Sequence, residues 1–72
     1  MSGAVLGKVI RRIRLERGMP QTELALRCGI TQPYICQIEK GRIPSDRALL
    51  NIIDALDLDP ADLPSFSRGR EK

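Results

Sequence analysis

The chain has no histidine and no tryptophan, and Tyr34 and Phe66 are its only aromatic residues. Without histidine it lacks both the commonest general base and the commonest metal ligand. Its two cysteines, Cys28 and Cys36, are too few for a disulfide scaffold and have no histidine with which to build a zinc site. They are expected to stay reduced. No glycine-rich phosphate loop is present, and no pair of carboxylates is placed to face one pocket. The sequence therefore points away from an enzyme and calls for no cofactor and no metal. No apolar run approaches the roughly 18 residues of a membrane span. The opening Met1-Ser-Gly-Ala-Val-Leu-Gly-Lys8 also lacks the long apolar stretch of a secretory signal. A cytoplasmic protein with no membrane association and no evident small-molecule ligand is expected.

What remains is aliphatic and charged. At 72 residues the chain has room for one domain, and a chain of this size buries only about 60% of its unfolded surface. Leu, Ile and Val must build the core, and an all-α bundle of short helices is the simplest architecture for that set. The net charge of +3 is unevenly spread. Residues 1–47 hold nine basic and four acidic side chains, whereas residues 48–67 hold no basic ones and four acids, Asp54, Asp57, Asp59 and Asp62. A polyanion would meet the first two-thirds of the chain and avoid the rest.

Hydrophobic spacing predicts a first helix from about Ala4 to Arg17, with Leu6, Val9, Ile10 and Ile13 on one stripe. Ser2 stands at its start, and Gly18 where a C-cap takes positive φ. Pro20 opens a second helix, Gln21 to Cys28, which Gly29 ends. Thr31 is the natural N-cap of a third helix, Gln32 to Lys40, and Pro33 falls in its first turn, where a missing N–H has no intrahelical partner. A fourth runs from about Asp46 to Leu56, with Leu49, Ile52, Ile53 and Leu56 inward. Asp59 to Leu63 reads as a short fifth helix with proline at its first position. Residues 1–64 form the expected domain and 65–72 a disordered polar tail.

On a 100° wheel, Ile35 and Ile38 share one side of the third helix with part of Tyr34. Pro33, Cys36, Gln37 and Lys40 share the other, with Gln32 at its leading edge and no acid among them. Such a helix fits a DNA major groove about 12 Å wide, where a glutamine can bond adenine N6 and N7 together. Gln32 and Gln37 are the candidate base readers, and Pro33 offers only apolar contact.

The chain resembles the phage-repressor-like helix-turn-helix domains, the group of lambda-type repressors and xenobiotic-response-element-type regulators. The matching residues are Ile10-Arg-Arg-Ile-Arg14, Gly18, Gln21-Thr-Glu-Leu-Ala25, Gly29-Ile-Thr-Gln32, Tyr34-Ile-Cys-Gln-Ile-Glu-Lys-Gly41 and Pro44-Ser45. The fourth-helix apolar series and Asp57-Leu58 through Leu63 complete the pattern. The resemblance implies a compact five-helix fold that binds double-stranded DNA through the second and third helices. It implies base contacts from Gln32, Pro33 and Gln37. Phosphate contacts fall to Gln21 (through side chain or backbone N–H), Thr31, Tyr34, Lys40, Arg42 and Arg47. It also implies a partly buried Arg14–Glu39 ion pair, while Arg11, Arg12, Arg17 and Arg27 read as plain surface charge. Pro20 replaces the usual capping residue of the second helix, and Pro33 a position that is often polar. A transcriptional regulator acting as a homodimer on two half-sites is expected, with Leu56, Leu58, Leu63 and Phe66 as the dimer surface. Two rival readings use the same fold: a protein-interaction module such as an antitoxin or adaptor, and the DNA-binding part of a longer regulator. Salt-insensitive DNA affinity, or none, would mark the first.

Overall fold

A computed structural model describes residues 3–59, and these form four helices: α1 (Gly3–Glu16), α2 (Gln21–Cys28), α3 (Gln32–Glu39) and α4 (Asp46–Leu56). The bounds of α2 and α4 are those the sequence predicts, and α1 and α3 differ by one residue at their ends. Residues 60–63 of the expected fifth helix, the tail from 65 and Ser2 lie outside the described residues, so the five-helix count reduces to four among the described ones.

Each boundary has a local cause. Pro20 precedes α2 at φ −68° and ψ 157° and supplies no side-chain cap. Gly29 ends α2 in the left-handed region at φ 70°, where its N–H and that of Ile30 turn back to carbonyls of α2. Thr31 and Ser45 cap α3 and α4, their hydroxyls accepting from the N–H of Tyr34 and Ala48. Lys40, expected as the last helical residue, is the C-cap of α3.

The apolar faces close on one core. Leu6, Ile10, Leu24, Ile35, Ile38, Ile52 and Leu56 are fully buried in it. Val9, Leu49 and Ile53 pack at its margin, and Met19 and Leu58 close its ends. α3 is held between α1 and α2, while α4 backs α2. Leu56 and Leu58, expected on a dimer surface, are 0% and 7% exposed. Apolar periodicity cannot separate a face buried within the chain from one buried against another copy, and here both side chains are spent on the chain's own core. Leu63 and Phe66 lie outside the described residues.

One close approach escapes the sequence reading. α1 crosses the end of α3 at Gly7, where a Cβ would stand 2.5 Å from the Ile38 carbonyl oxygen and 2.8 Å from that of Glu39. Those are backbone atoms and cannot swing aside. Alanine is favoured over glycine inside a helix by about 1 kcal/mol, but overpacking costs about 1–3 kcal/mol. Gly7→Ala should therefore lower the melting temperature, by about 4–8 °C per kcal/mol lost. A thermal melt at or above the parent value would show that α1 and α3 separate freely.

Candidate nucleic-acid interface

Five residues of α3 and its C-cap form a row pointing away from the core. Pro33, Gln37 and Lys40 are exposed, and Gln32 and Cys36 half-exposed. None is acidic. The opposite side, Ile35 and Ile38, is fully buried and fixes the helix by its inner face.

A polar brace fixes the same helix from its ends. Arg14 Nε donates to Glu39 Oε2 at 2.6 Å and Nη2 to Oε1 at 3.1 Å, a bidentate pair whose side chains are 8% and 3% exposed. Arg14 Nη1 also donates to the Met19 carbonyl at 2.8 Å, so the guanidinium is used along its whole edge. This is the ion pair implied by the family resemblance. Gln21 joins it, its Nε2 donating to Glu39 Oε1 at 3.0 Å, and Gln32 Nε2 donates to Gln21 Oε1 at 2.7 Å.

The direction of that chain is set by chemistry. A guanidinium only donates and a carboxylate only accepts. Gln21 must therefore turn its NH2 to Glu39 and its oxygen to Gln32, and Gln32 must answer with NH2. Gln32 keeps its oxygen and its second N–H free to reach outward. Gln21, expected at a phosphate through side chain or backbone, has its side chain drawn into the brace. Its backbone N–H, in the first turn of α2, has no intrahelical partner.

A second cluster surrounds the C-terminal half of α3. The Arg42 guanidinium lies 4.6 Å from the centre of the Tyr34 ring, and Arg42 Nη1 donates to Gln37 Oε1. The Arg42 backbone N–H donates to the Gln37 carbonyl at 3.0 Å. The Tyr34 hydroxyl accepts the Ser45 N–H at 3.0 Å and keeps its own proton to donate. That amide, with a lesser contribution from the Arg42 charge, holds the Tyr34 hydroxyl below the ordinary tyrosine pKa. Thr31 likewise accepts within the protein and keeps a donor. Lys40 and Arg47 are exposed and have no ion-pair partner among the described residues.

Other charges differ from the sequence reading or match it plainly. Arg12 and Arg27 make exposed pairs with Glu16 and Glu23 one turn away. Arg17, read as plain surface charge, instead donates from Nε to the Leu56 carbonyl at 2.6 Å and from Nη2 to that of Asp57 at 3.3 Å. It caps α4 from α1. Its partners are backbone carbonyls, which leave no trace in the residue pattern. Asn51 does the same for α2, donating to the Cys28 carbonyl at 3.2 Å. Cys28 is buried, and burial pushes its thiol pKa up, which makes it unreactive. No helix among the described residues is long and apolar enough to cross a membrane.

Two measurements test this geometry. Glu39→Ala should cost about 3–5 kcal/mol in urea denaturation, because it strands a buried guanidinium. Arg14→Met combined with Glu39→Met should cost less than Glu39→Ala alone. A loss from Glu39→Ala below about 1 kcal/mol, the worth of an exposed pair, would mean that the brace carries little. Ultraviolet titration of Tyr34, the single tyrosine, should give a lower midpoint in the folded chain than in urea. The sign follows from the lowered folded-state pKa: the contribution to stability is present at alkaline pH and lost as pH falls through that value. Arg42→Ala should move the midpoint back up.

Comparison with known proteins places this arrangement. A family model described as helix-turn-helix matches residues 10–63, most of the chain. The "ImmF control region 10 kDa protein" of Bacillus phage phi105 is 37% identical over 60 residues, covering 82% of this chain and 67% of that protein. Among solved structures, the restriction-modification controller protein C.AhdI of Aeromonas hydrophila superposes with a TM-score of 0.77 at 30% identity, over 83% of this chain and 92% of that one. The clp gene regulator ClgR of C. glutamicum gives a TM-score of 0.77 at 28% identity, over 83% of this chain and 78% of that one. With its turn at Gly29, its bare outer row on α3 and most of its core within the matched span, the chain belongs to the helix-turn-helix family of DNA-binding regulators.

Proposed function

We propose that this protein regulates transcription by placing α3 in the major groove of double-stranded DNA, as a homodimer on two half-sites. The observation that carries the reading is the acid-free outer row of α3, held from behind by a buried ion pair that reaches Gln32 through Gln21. Gln32 reads a base with its free oxygen and N–H, a donor and an acceptor that match adenine N7 and N6. Pro33 adds apolar contact, as to a thymine methyl.

Phosphates bind around this row. Lys40 and Arg47 supply charge, and Thr31, Tyr34 and the Gln21 backbone N–H supply neutral donors, which fix register rather than sequence. The acids Asp54, Asp57 and Asp59 follow the distal turns of α4, whose start at Ser45 meets Tyr34. At a rise of about 1.5 Å per residue, Asp54 stands about 13 Å along α4 from Ser45 and Asp57 follows at its C-cap, away from the polyanion. Dimerisation follows from need: a reading helix of eight residues covers few base pairs, and two-fold copies would seat their helices about 34 Å apart, one DNA turn. The controller and regulator roles in the names of the similar proteins agree with this reading.

The salt dependence of binding to duplex DNA tests the assignment. Each phosphate-neutralising cation adds about 0.9 to the slope of log K against log salt. Lys40→Ala and Arg47→Ala should each reduce the slope by about that amount per protomer while leaving the preferred sequence intact. A salt-insensitive affinity, or none, would instead support a protein-interaction module. Light scattering that finds only monomer, with and without the preferred duplex, would sink the dimer.

A further inference from the structure

We propose that Gln37 and Arg42 act as one composite base reader that selects guanine, and that Arg42 is a specificity-determining residue rather than only a phosphate contact. The inference rests on the reading of α3 as a major-groove helix and names what its second half recognises.

A free glutamine amide is ambivalent. It offers one acceptor and two donors, and so pairs naturally with adenine, whose major-groove edge has the N7 acceptor and the N6 donor. Gln37 is not free. Arg42 Nη1 donates to its Oε1, and a guanidinium has no acceptor, so the amide cannot be turned over without losing that bond. The Nε2 donors are therefore the end of Gln37 that points elsewhere. Gln37 is exposed, and no other side chain engages those donors among the described residues.

Besides its bond to Gln37 Oε1, Arg42 is held where it stands by two further contacts. Its backbone N–H bonds the Gln37 carbonyl at 3.0 Å, which seats residue 42 above the last turn of α3. Its guanidinium lies 4.6 Å from the Tyr34 ring centre. Tyr34 is itself pinned by the Ser45 N–H at 3.0 Å. The carbonyl oxygen of Gln37 retains a second lone pair, but a full positive charge now stands against it. That charge repels the adenine and cytosine amino groups and attracts the N7 and O6 acceptors of guanine. The outward face of the pair is thus donors and positive charge, which matches the guanine edge and opposes the adenine edge. Gln32 has the opposite outcome, since its partner is an amide oxygen and its own oxygen remains free. Two glutamines five positions apart on one helix therefore read different bases because their partners differ.

The test is selection of bound duplexes from a random pool with the parent protein, Gln37→Ala and Arg42→Ala, followed by affinity measurements on the selected site. The position that Gln37→Ala relaxes should be guanine in the parent selection, with other bases there weaker by about five- to 150-fold. Arg42→Ala should shift that same position toward adenine, because the freed oxygen accepts from N6, while positions read by Gln32 stay unchanged. Replacing that guanine by 7-deazaguanine should weaken binding of the parent protein about fivefold or more, a readout that needs no variant to fold. The proposal is overturned if the parent selects another base at that position. It is equally overturned if Gln37→Ala relaxes none, if Arg42→Ala leaves guanine preferred, or if 7-deazaguanine binds as well as guanine. A pool with no enriched sequence would overturn the DNA-reading function itself, and is distinguishable from all of these.

Discussion

The buried ion pair between Arg14 and Glu39 is the constraint on which the reading face depends. Isolated buried charges are costly, and a pair repays its desolvation only when its remaining donors and acceptors are also met. Here the Met19 carbonyl takes the third guanidinium contact and Gln21 takes the second lobe of the carboxylate. The pair therefore joins α1, the α1–α2 turn, α2 and the end of α3 at one point. The alternatives to this packing would strand a charge, which gives the fold a penalty for tilting α3 that aliphatic contact alone would not impose.

The pair also has a direction. Hydrogen bonds between amides can run either way, and a glutamine on a protein surface has no intrinsic orientation. A donor-only group at one end and an acceptor-only group beside it remove that freedom for every amide linked to them. At the start of α3 this sets Gln32 through Gln21, and at its end Arg42 sets Gln37 directly. The orientation of both groups is thus present before any ligand arrives, which reduces the ordering that binding must otherwise supply.

Much of the fold was legible because its signals are local. Thr31 and Gly29 announce the ends of helices by what their own side chain and backbone do, and the Leu and Ile stripes have one period. The Arg14–Glu39 pair spans 25 residues and could be named only through family resemblance. Gly7 was silent, since a glycine in a helix ordinarily signals weakness and nothing in its neighbours declares that a second backbone lies against it. Arg17 was read as plain surface charge but is engaged by carbonyls. Arg42 was assigned through the resemblance alone, and its ring and amide partners left no trace in the pattern. Leu56 and Leu58 were apolar in the right places yet assigned to the wrong interface. A sequence pattern reports that a surface is covered, not by what.

The crossing at Gly7 bears on how such a protein changes its target over evolutionary time. The seat of α3 is made from its backbone carbonyls against a helix with no side chain at that point, and from Ile35 and Ile38 beneath. Pro33 and Gln37 contribute nothing to that seat. Their identities are therefore free to drift without retuning the core, and new operators become reachable through surface exchanges that leave folding untouched. Gln32 has less freedom, because its replacement must still answer Gln21.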